Sequence, residues 1–437
     1  MSGWMQDTIF ALSSGNLPSG IAVIRISGPC ARFVCETVLG GLPRPREMAL
    51  RDICSQEGDI LDRGLIFWQP APRSFTGENC VEIHAHGGRA VVAAILNVLG
   101  GIPGLRFAEA GEFTRRAFIN GKLDLAQAEG LADLISAETE AQRRLAKANA
   151  DGRQGVLYRN WRDRLLRARA MIEAELDFAD EGDVPDTVSA SIWSDLDALA
   201  GEIAAHCAGF HRAEIVRDGL DVVILGAPNA GKSSLLNALA RRDVAIVSSQ
   251  AGTTRDLIEV SLDLEGYKVR ITDTAGIRDA GDEVEQEGVV RALRRAREAD
   301  LVLFLADVTE AEVIGPPEGL RDVRFIGSKA DLAHHGGRRY DLEVSVSSGT
   351  GLNELLTMLA VAVKSMAPAK EILPSRLRHV ELLTRSVGHI HSALAEKPPE
   401  LRAEELRLAS DALGGITGEI AVEDLLGSIF STFCIGK

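Results

Sequence analysis

The sequence predicts a multidomain α/β protein: a β-rich N-terminal domain, a helical bundle domain in two sequence halves, and an α/β domain inserted between them. Three observations predict it. Gly226-Ala-Pro-Asn-Ala-Gly-Lys-Ser233 directly follows the apolar run Leu220 to Leu225, as a phosphate loop between strand and helix requires. Strand-type and helix-type segments alternate from 216 to about 372, the mark of a mostly parallel sheet covered on both faces. On either side of that region the chain is rich in Ala, Leu, Glu and Arg with helical spacing, whereas its first 118 or so residues are strand-rich.

Composition sets the outer limits. A chain of 437 residues has room for two to four domains, and 46% apolar with 25% charged residues is ordinary for globular protein. There is no run of eighteen apolar residues, and MSGWMQDTIF lacks a basic region followed by an apolar core, so neither a membrane span nor a secretory leader is expected and the expected location is cytoplasmic. Six cysteines (Cys30, Cys35, Cys54, Cys80, Cys207, Cys434) show no CxxC pair and read as free thiols. A formal net charge of -15 argues against a non-specific nucleic-acid coat, whose affinity comes from phosphate neutralisation. Arg143, Arg144, Lys147 and Arg153, and then Arg159, Arg162, Arg164, Arg167 and Arg169, still cluster locally. At helical spacing they read as a solvated face, with nucleic-acid contact as the alternative.

In chain order, 21–26, 64–68 and 80–84 are short β-type runs bounded by Gly, Pro and Ser, and a helix is expected over 91–99. Apolar residues at 157, 161, 165, 168, 172 and 176 form a helical stripe; Pro185 breaks it, and a second long helix is expected over 188–212. Strands are expected at 220–225, 257–263, 267–272, 301–307, 323–327 and 342–346, with helices at 232–240, 284–299 and 352–365. Glu265-Gly266 suits a hairpin turn. The resulting domains are 1–120, 121–215, 216–372 and 373–437, the second and fourth being halves of one helical domain.

The motifs give the inserted domain its chemistry. In the loop, Asn229, Ala230, Gly231, Lys232, Ser233 and Ser234 wrap a phosphate with backbone amides and a helix N-terminus. Lys232 reaches the outer phosphates and Ser233 holds Mg2+. Asp273-Thr274-Ala275-Gly276 ends a strand 40 residues after Ser233; its aspartate suits Mg2+ through a water, and Gly276 leaves room for the γ-phosphate. Between them, in Ser248-Ser249-Gln250-Ala251-Gly252-Thr253-Thr254, a threonine completes the Mg2+ shell. Ser328-Lys329-Ala330-Asp331 selects guanine: Asp331 accepts from its N1 and N2 hydrogens, and Lys329 lies over the base. Ser345-Val346 is the last base-contacting segment. Together these motifs predict a GTPase of the Ras-like P-loop superfamily. Two positions depart from the usual pattern. Ser328 stands where Asn is usual, and Ile277 stands after DxxG, where a water-orienting Gln is common. Another group must then position the water and offset the charge developing on the phosphates.

Nearly the whole chain resembles the MnmE (TrmE) family of tRNA-modifying GTPases. The matching pieces are AVIRISG at 22–28, SFTGENCVEIHAHGG at 74–88, GEFTRRAF at 111–118, KLDLAQAEG at 122–130, ELDF at 175–178, GAPNAGKSSLLN at 226–237, AGTTRD at 251–256, DTAGIRD at 273–279 and FCIGK at 433–437. The resemblance implies an N-terminal tetrahydrofolate-binding and dimerisation domain, a helical domain and an inserted G domain. It implies GTP hydrolysis activated by pairing of two G domains with K+ bound, the cation replacing an arginine finger. By motif position K+ falls to Asn229, Ser248, Gln250 and Thr253, and Mg2+ to Ser233 and Thr254. The water-positioning carboxylate falls on Glu285, the switch arginine on Arg278, and the folate contacts on Arg25, Glu82, Lys122 and Lys437. An FAD-containing partner, MnmG (GidA), is implied in a heterotetramer with the homodimer. Together they place an aminomethyl or carboxymethylaminomethyl group on C5 of the wobble uridine of certain tRNAs, with a folate one-carbon unit.

The residue types agree. Asn229 offers a hard carbonyl oxygen suited to an alkali cation, and Glu285 lies at an expected helix start, where a carboxylate also suits the dipole. Arg25 and Lys122 suit the carboxylates of a folate tail, and Glu82 its pterin ring; each alone reads as a surface charge. Cys434 is a nucleophilic thiol by type, in a Cys-Ile-Gly-Lys end whose Lys437 does not suit prenylation. His84 and His86 share a strand face and read as structural or folate-adjacent. Two other readings remain: a ribosome-assembly GTPase, and a folate-binding aminomethyl carrier with a regulatory G domain.

Overall fold

Alternating apolar residues among the first 107 positions build one six-stranded sheet, and apolar segments after position 219, continuous at 222–225 and 301–306, build another. The structure, a computed structural model, describes residues 7–177, 190–246, 259–273, 282–310, 315–332, 340–367, 371–420, 423–431, 433 and 436. The chain divides into two compact units, one of residues 1–132 with 413–437 and one of residues 133–412.

The first unit contains β1 (Thr8–Leu12), β2 (Ser19–Ser27), α1 (Ala31–Val38), β3 (Met48–Cys54), β4 (Ile60–Gln69), β5 (Cys80–Gly87), α2 (Arg89–Gly100), β6 (Leu105–Phe107) and α3 (Glu112–Ile119), followed by α4 (Leu125–Ser136). Its sheet order is β3-β4-β5-β2-β1-β6, antiparallel except for the parallel β1–β6 pair. Ile24, Ile26, Ile66, Val81 and Ile83 point to one face and bury against Val34, Val38, Val92, Ile95 and Leu99 of α1 and α2. The period of two that sends these residues inward sends Arg25, Glu82 and His84 to the other face.

A buried ionic network closes this unit. Arg116 on α3, 3% exposed, donates to Asp7 Oδ1 at 2.7 Å, Glu112 Oε1 at 3.0 Å and both oxygens of Glu78 at 3.2 Å. Arg106 donates to both oxygens of Glu112, at 2.8 and 2.6 Å. Burial acts to raise the Glu112 carboxyl pKa, but Arg106, the Glu109 amide and Arg116 outweigh it and hold the value at about 2.

The second unit holds α5 (Glu140–Ala150), α6 (Arg153–Asp177), α7 (Ala190–Ala208) and α8 (Phe210–Asp218) before its sheet. The helix expected over 188–212 is therefore two. At Gly209 the amide reaches back to His206 O at 3.0 Å, a tightened turn, and a Cβ there would stand 2.5 Å from Leu373 Cδ2. The sheet follows, with β7 (Leu220–Gly226), α9 (Lys232–Ala240), β8 (Glu259–Leu264), β9 (Tyr267–Asp273), α10 (Asp282–Glu298), β10 (Leu301–Asp307), β11 (Asp322–Ser328), β12 (Leu342–Glu343) and α11 (Leu352–Met366). Its order is β12-β11-β10-β7-β9-β8, parallel except for the β8–β9 hairpin. That hairpin turns at Glu265 and Gly266, both at positive φ (54° and 87°), as its two-residue turn demands. β12 is shorter than the expected 342–346 strand because the Ser345 amide leaves the ladder for Thr350 O.

The chain ends through α12 (Leu377–Leu394), α13 (Pro399–Thr417) and α14 (Glu423–Ser431). α12 packs on α7, where Tyr158, Trp161, His206 and His379 meet edge to face or tilted. Much of the basic helix surface is paired locally: Arg143 and Arg144 with Glu140, Lys147 with Asp151, and Arg164 with Asp195 and Glu202. No helix among the described residues is long and apolar enough to cross a membrane.

The Glu112 network predicts acid sensitivity. A carboxyl held at about 2 against an ordinary 4.5 contributes stability above about pH 4.5, and that contribution is lost as pH falls through about 2. Glu112→Gln is expected to cost on the order of 3 kcal/mol at neutral pH and to flatten this acid loss, read by denaturant melts across pH.

Candidate nucleotide site

Parallel strands place their carboxyl ends along one edge, and the register puts Gly226, Asp273, Asp307 and Ser328 there. The central strands carry this edge because they are buried on both faces; every residue of β10 is buried. Gly226 leaves β7 at φ 149°, where a Cβ would lie 2.2 Å from Leu305 O. Asn229 at φ 65° and Gly231 at φ 92° complete the curl, and Gly231 then starts α9. Leu235, Leu236 and Leu239 seat α9 on the sheet, leaving its N-terminal turn at the loop.

Inside the loop Lys232, 8% exposed, donates to Gly226 O at 2.9 Å and Ala227 O at 2.8 Å. Ala230 is buried, whereas Asn229, Ser233 and Ser234 are exposed. Ser233 Oγ donates to Asp273 Oδ2 at 2.6 Å, so the loop and the end of β9 meet through a hydroxyl and a carboxylate. Such a hard oxygen pair suits Mg2+.

The base-side motif is also assembled. Asp331 accepts Ser345 Oγ at 2.6 Å and Ser347 Oγ at 2.7 Å, and these hydroxyls hold its carboxyl below the ordinary range. Lys329, at φ 60°, donates to Asp307 Oδ2 at 2.5 Å. Asp307 Oδ1 accepts the Thr309 amide at 2.9 Å and its hydroxyl at 2.7 Å. Burial raises the Asp307 pKa, but Lys329 and Thr309 outweigh it and leave the carboxyl lowered. Ser328 is buried with its hydroxyl on Ala306 O at 3.2 Å, and Val346 is exposed beside the serines. Asp307 and Ser347 were not singled out by motif. The available signals were a carboxylate ending an all-apolar strand and a second hydroxyl two residues past Ser345.

Several expected site residues lie outside the described residues: 247–258, with Ser248, Ser249, Gln250, Ala251, Gly252, Thr253 and Thr254; 274–281, with Thr274, Ala275, Gly276, Ile277 and Arg278; and Cys434 and Lys437. Glu285 falls near the start of α10.

In the first unit, the residues expected to contact folate divide. Arg25 Nε donates to Glu82 Oε1 at 3.0 Å across the β2–β5 pair, with its guanidinium 5.2 Å from the Phe75 ring centroid and 5.7 Å from that of Phe113. His84 Nε2 lies 3.5 Å from Glu82 Oε2 and makes no hydrogen bond. Lys122 Nζ instead donates to Pro72 O at 2.9 Å. His86 pairs with Asp62 at 2.8 Å, and no cluster of three metal-ligating side chains exists among the described residues. Cys30, Cys35, Cys54, Cys80 and Cys207 are free thiols.

A phosphate loop facing an aspartate at the strand ends, with a lysine–aspartate base motif beside it, defines a P-loop GTPase. Family models agree with the fold: that of the GTP-binding protein TrmE N-terminus matches residues 8–122, and that of the MnmE helical domain matches 125–434. Proteins named tRNA modification GTPase MnmE are similar along essentially the whole length. That of Mesorhizobium japonicum is 56% identical, covering 99% of both chains. That of a Chelativorans species is 57% identical over 99% of both, and that of Brucella canis 56% identical over 100% of this chain and 99% of its own. The chain belongs to the MnmE (TrmE) family of tRNA modification GTPases, and is thus a GTP hydrolase of tRNA modification. Among solved structures, the G domain of the T. maritima FeoB iron transporter is 22% identical over 33% of this chain and 98% of its own, at a TM-score of 0.22, too slight a likeness to bear on function.

The close approach at Gly226 gives a direct expectation. Gly226→Ala forces a side chain into the Leu305 carbonyl at a φ suited to glycine alone, and is expected to cost about 2–3 kcal/mol and to abolish tight GTP binding. Thermal melts and nucleotide titration check both.

Proposed function

We propose that this protein is a K+-dependent cytoplasmic GTPase acting with an FAD-containing partner of the MnmG (GidA) kind. In this reading the pair converts C5 of the wobble uridine of certain tRNAs to an aminomethyl or carboxymethylaminomethyl form. A tetrahydrofolate derivative is the one-carbon source. The observation that carries the reading is Asn229, exposed at φ 65° within the phosphate loop and so able to present an amide oxygen beside the phosphates.

The chain's residues divide the work. Lys232 exchanges the Gly226 and Ala227 carbonyls for phosphate oxygens, and the amides of Ala230, Gly231 and Ser234 cradle the phosphates. Ser233 and Asp273, already 2.6 Å apart, with Thr254, form the Mg2+ side; Asn229, Ser248, Gln250 and Thr253 form the K+ side. Arg278, and the amides of Ser249, Ala251, Gly252, Thr274, Ala275 and Gly276, complete the γ-phosphate surround. Glu285 holds the attacking water, because Ile277 has no polar atom to do so. Asp331, Lys329, Ser328, Ser345 and Val346 take the guanine. When bound, the two cations offset the charge that develops on the phosphates and the folate supplies the carbon unit.

For the folate, Arg25, Glu82, Lys122 and Lys437 are the proposed contacts, with Cys434 nearby. A charged pair flanked by Phe75 and Phe113, with an imidazole nitrogen that makes no hydrogen bond, suits a planar heteroaromatic ring that carries donors and acceptors. Gly436 supports a role for the chain end: its carbonyl accepts Ser13 Oγ at 2.8 Å just past β1, the strand that pairs Ala11 with Arg25. A homodimer, within a heterotetramer with the partner, is supported by the exposed apolar residues Met48, Leu50 and Leu65 on adjoining strands β3 and β4.

GTP turnover is expected to be much faster in KCl than in NaCl at equal ionic strength; equal rates reject the K+ assignment. Glu285→Ala is expected to bind GTP normally and lose about 100-fold or more in single-turnover hydrolysis. Deleting Lys437 is expected to weaken binding of a tetrahydrofolate derivative while GTP turnover persists, read by calorimetric titration.

A further inference from the structure

We propose that Ser347 and Asp307 are positioning residues for guanine recognition, fixing Asp331 and Lys329 in the orientation that an asparagine at position 328 would help to maintain. The inference rests on the reading of Asp331 and Lys329 as the guanine contacts.

It starts from what Ser328 does. Its side chain is buried and its hydroxyl donates to Ala306 O at 3.2 Å, back into β10. Its Cβ lies 4.0 Å from where a Cβ on Gly231 would stand, so the residue abuts the phosphate loop. A serine has one donor, and here that donor is spent on the sheet. An asparagine would bring two amide hydrogens and a longer reach, enough to tie the base loop to the phosphate loop.

The base loop is anchored by other groups. Asp331 Oδ1 accepts Ser345 Oγ at 2.6 Å and Oδ2 accepts Ser347 Oγ at 2.7 Å; the two hydroxyl oxygens are 2.9 Å apart. The torsion that turns a carboxylate about its Cβ–Cγ bond is broad and weakly restrained. One hydroxyl on each oxygen restrains it. An ionised carboxylate has about four acceptor sites, so one on each oxygen remains for guanine N1–H and an N2 hydrogen. Ser345 is held in turn: its amide donates to Thr350 O at 2.9 Å, its carbonyl accepts the Gly349 amide at 3.0 Å and its Oγ accepts the Ser348 amide at 3.2 Å.

Lys329 is treated in the same way. Its ammonium is fixed on Asp307 Oδ2 at 2.5 Å, and Asp307 is itself fixed through Oδ1 by the amide and hydroxyl of Thr309. The Asp307 side chain is only 6% exposed, so this anchor is shielded from competing water. With its ammonium tied, the flexible lysine stem is restricted before any base arrives, and less entropy is lost when one does. Ser347 and Asp307 therefore act through Asp331 and Lys329 and need not touch the base.

The test is titration of the full-length protein with a fluorescent GDP analogue, together with steady-state GTP hydrolysis. Ser347→Ala is expected to weaken GDP binding and raise KM for GTP about tenfold while kcat falls far less; Ser347→Thr, which keeps the hydroxyl, is expected to restore affinity. Asp307→Asn is expected to weaken GDP similarly, and Ser328→Asn to tighten it. Asp331→Asn tests the parent reading separately, because an amide donor pairs with the O2 carbonyl of xanthine where guanine has an amino group. If Asp331→Asn keeps its preference for guanine over xanthine nucleotides, the parent reading fails. If it switches to xanthine but Ser347→Ala and Asp307→Asn bind GDP like the unaltered protein, the inference is overturned. A tenfold loss in Ser347→Ala that Ser347→Thr does not restore also overturns it, since the hydroxyl would then not be the cause.

Discussion

The passage of Gly226 against the Leu305 carbonyl is the constraint on which the nucleotide site depends. Because β7 and β10 are adjacent parallel strands, the chain can leave β7 toward α9 only by turning tightly over the end of β10. A side chain at that point would occupy the space of the carbonyl. The turn makes the Gly226 and Ala227 carbonyls converge on Lys232 and hold its ammonium inside the loop. The same curl brings Ser233 to Asp273 on the neighbouring strand. One backbone conformation thus places the lysine, the helix N-terminus and the paired oxygens.

Charge is concentrated at this edge and arranged in pairs. Asp307 faces Lys329, Asp331 faces two serine hydroxyls, and Asp273 faces Ser233. For the buried Asp273 and Asp307 these partners offset the cost of burying a carboxylate, whereas for the exposed Asp331 they fix its orientation; all three keep acceptor capacity for a ligand. The first unit uses the same device for stability in its Asp7–Arg106–Glu112–Arg116–Glu78 network, where Asp7 and Glu112 each face both arginines and Arg116 faces three carboxylates.

Within the second unit the nucleotide sheet does not hang from its two connecting strands alone. The Ala141 amide at the start of α5 donates to Gly266 O at 2.8 Å on the β8–β9 turn, and Ala141 belongs to the apolar core of the sheet. Gln142 caps α5 and donates to Arg217 O at 2.7 Å, just before the chain enters β7. Arg217 and the buried Gln154 in turn hold the return segment at Ser375 and Leu373. The β8–β9 hairpin is thereby bonded to α5, earlier in the chain.

What could be read from sequence was whatever local chemistry determines. Glycines at 226 and 231, Lys232 and the apolar run before them specify a phosphate loop wherever they occur, and Glu265-Gly266 specifies its turn by backbone conformation alone. Alternating strand and helix texture was enough for a parallel sheet, and whole-length motif matches were enough for the family. Choices of partner were not legible. Arg25 and Glu82 are 57 residues apart and meet only because the β2–β5 register sets them opposite each other. Gly209, where one expected helix becomes two, has no room for a Cβ because Leu373, 164 positions later, lies against it. Ser347 and Asp307 look like an ordinary loop serine and a strand-end aspartate until β10, β11 and the 345–350 turn converge. Sequence by itself determined which backbone shapes and ionisable groups were available, because those are properties of residues and their near neighbours. Tertiary structure decided which charges face each other, because register and packing select partners that chain distance does not encode.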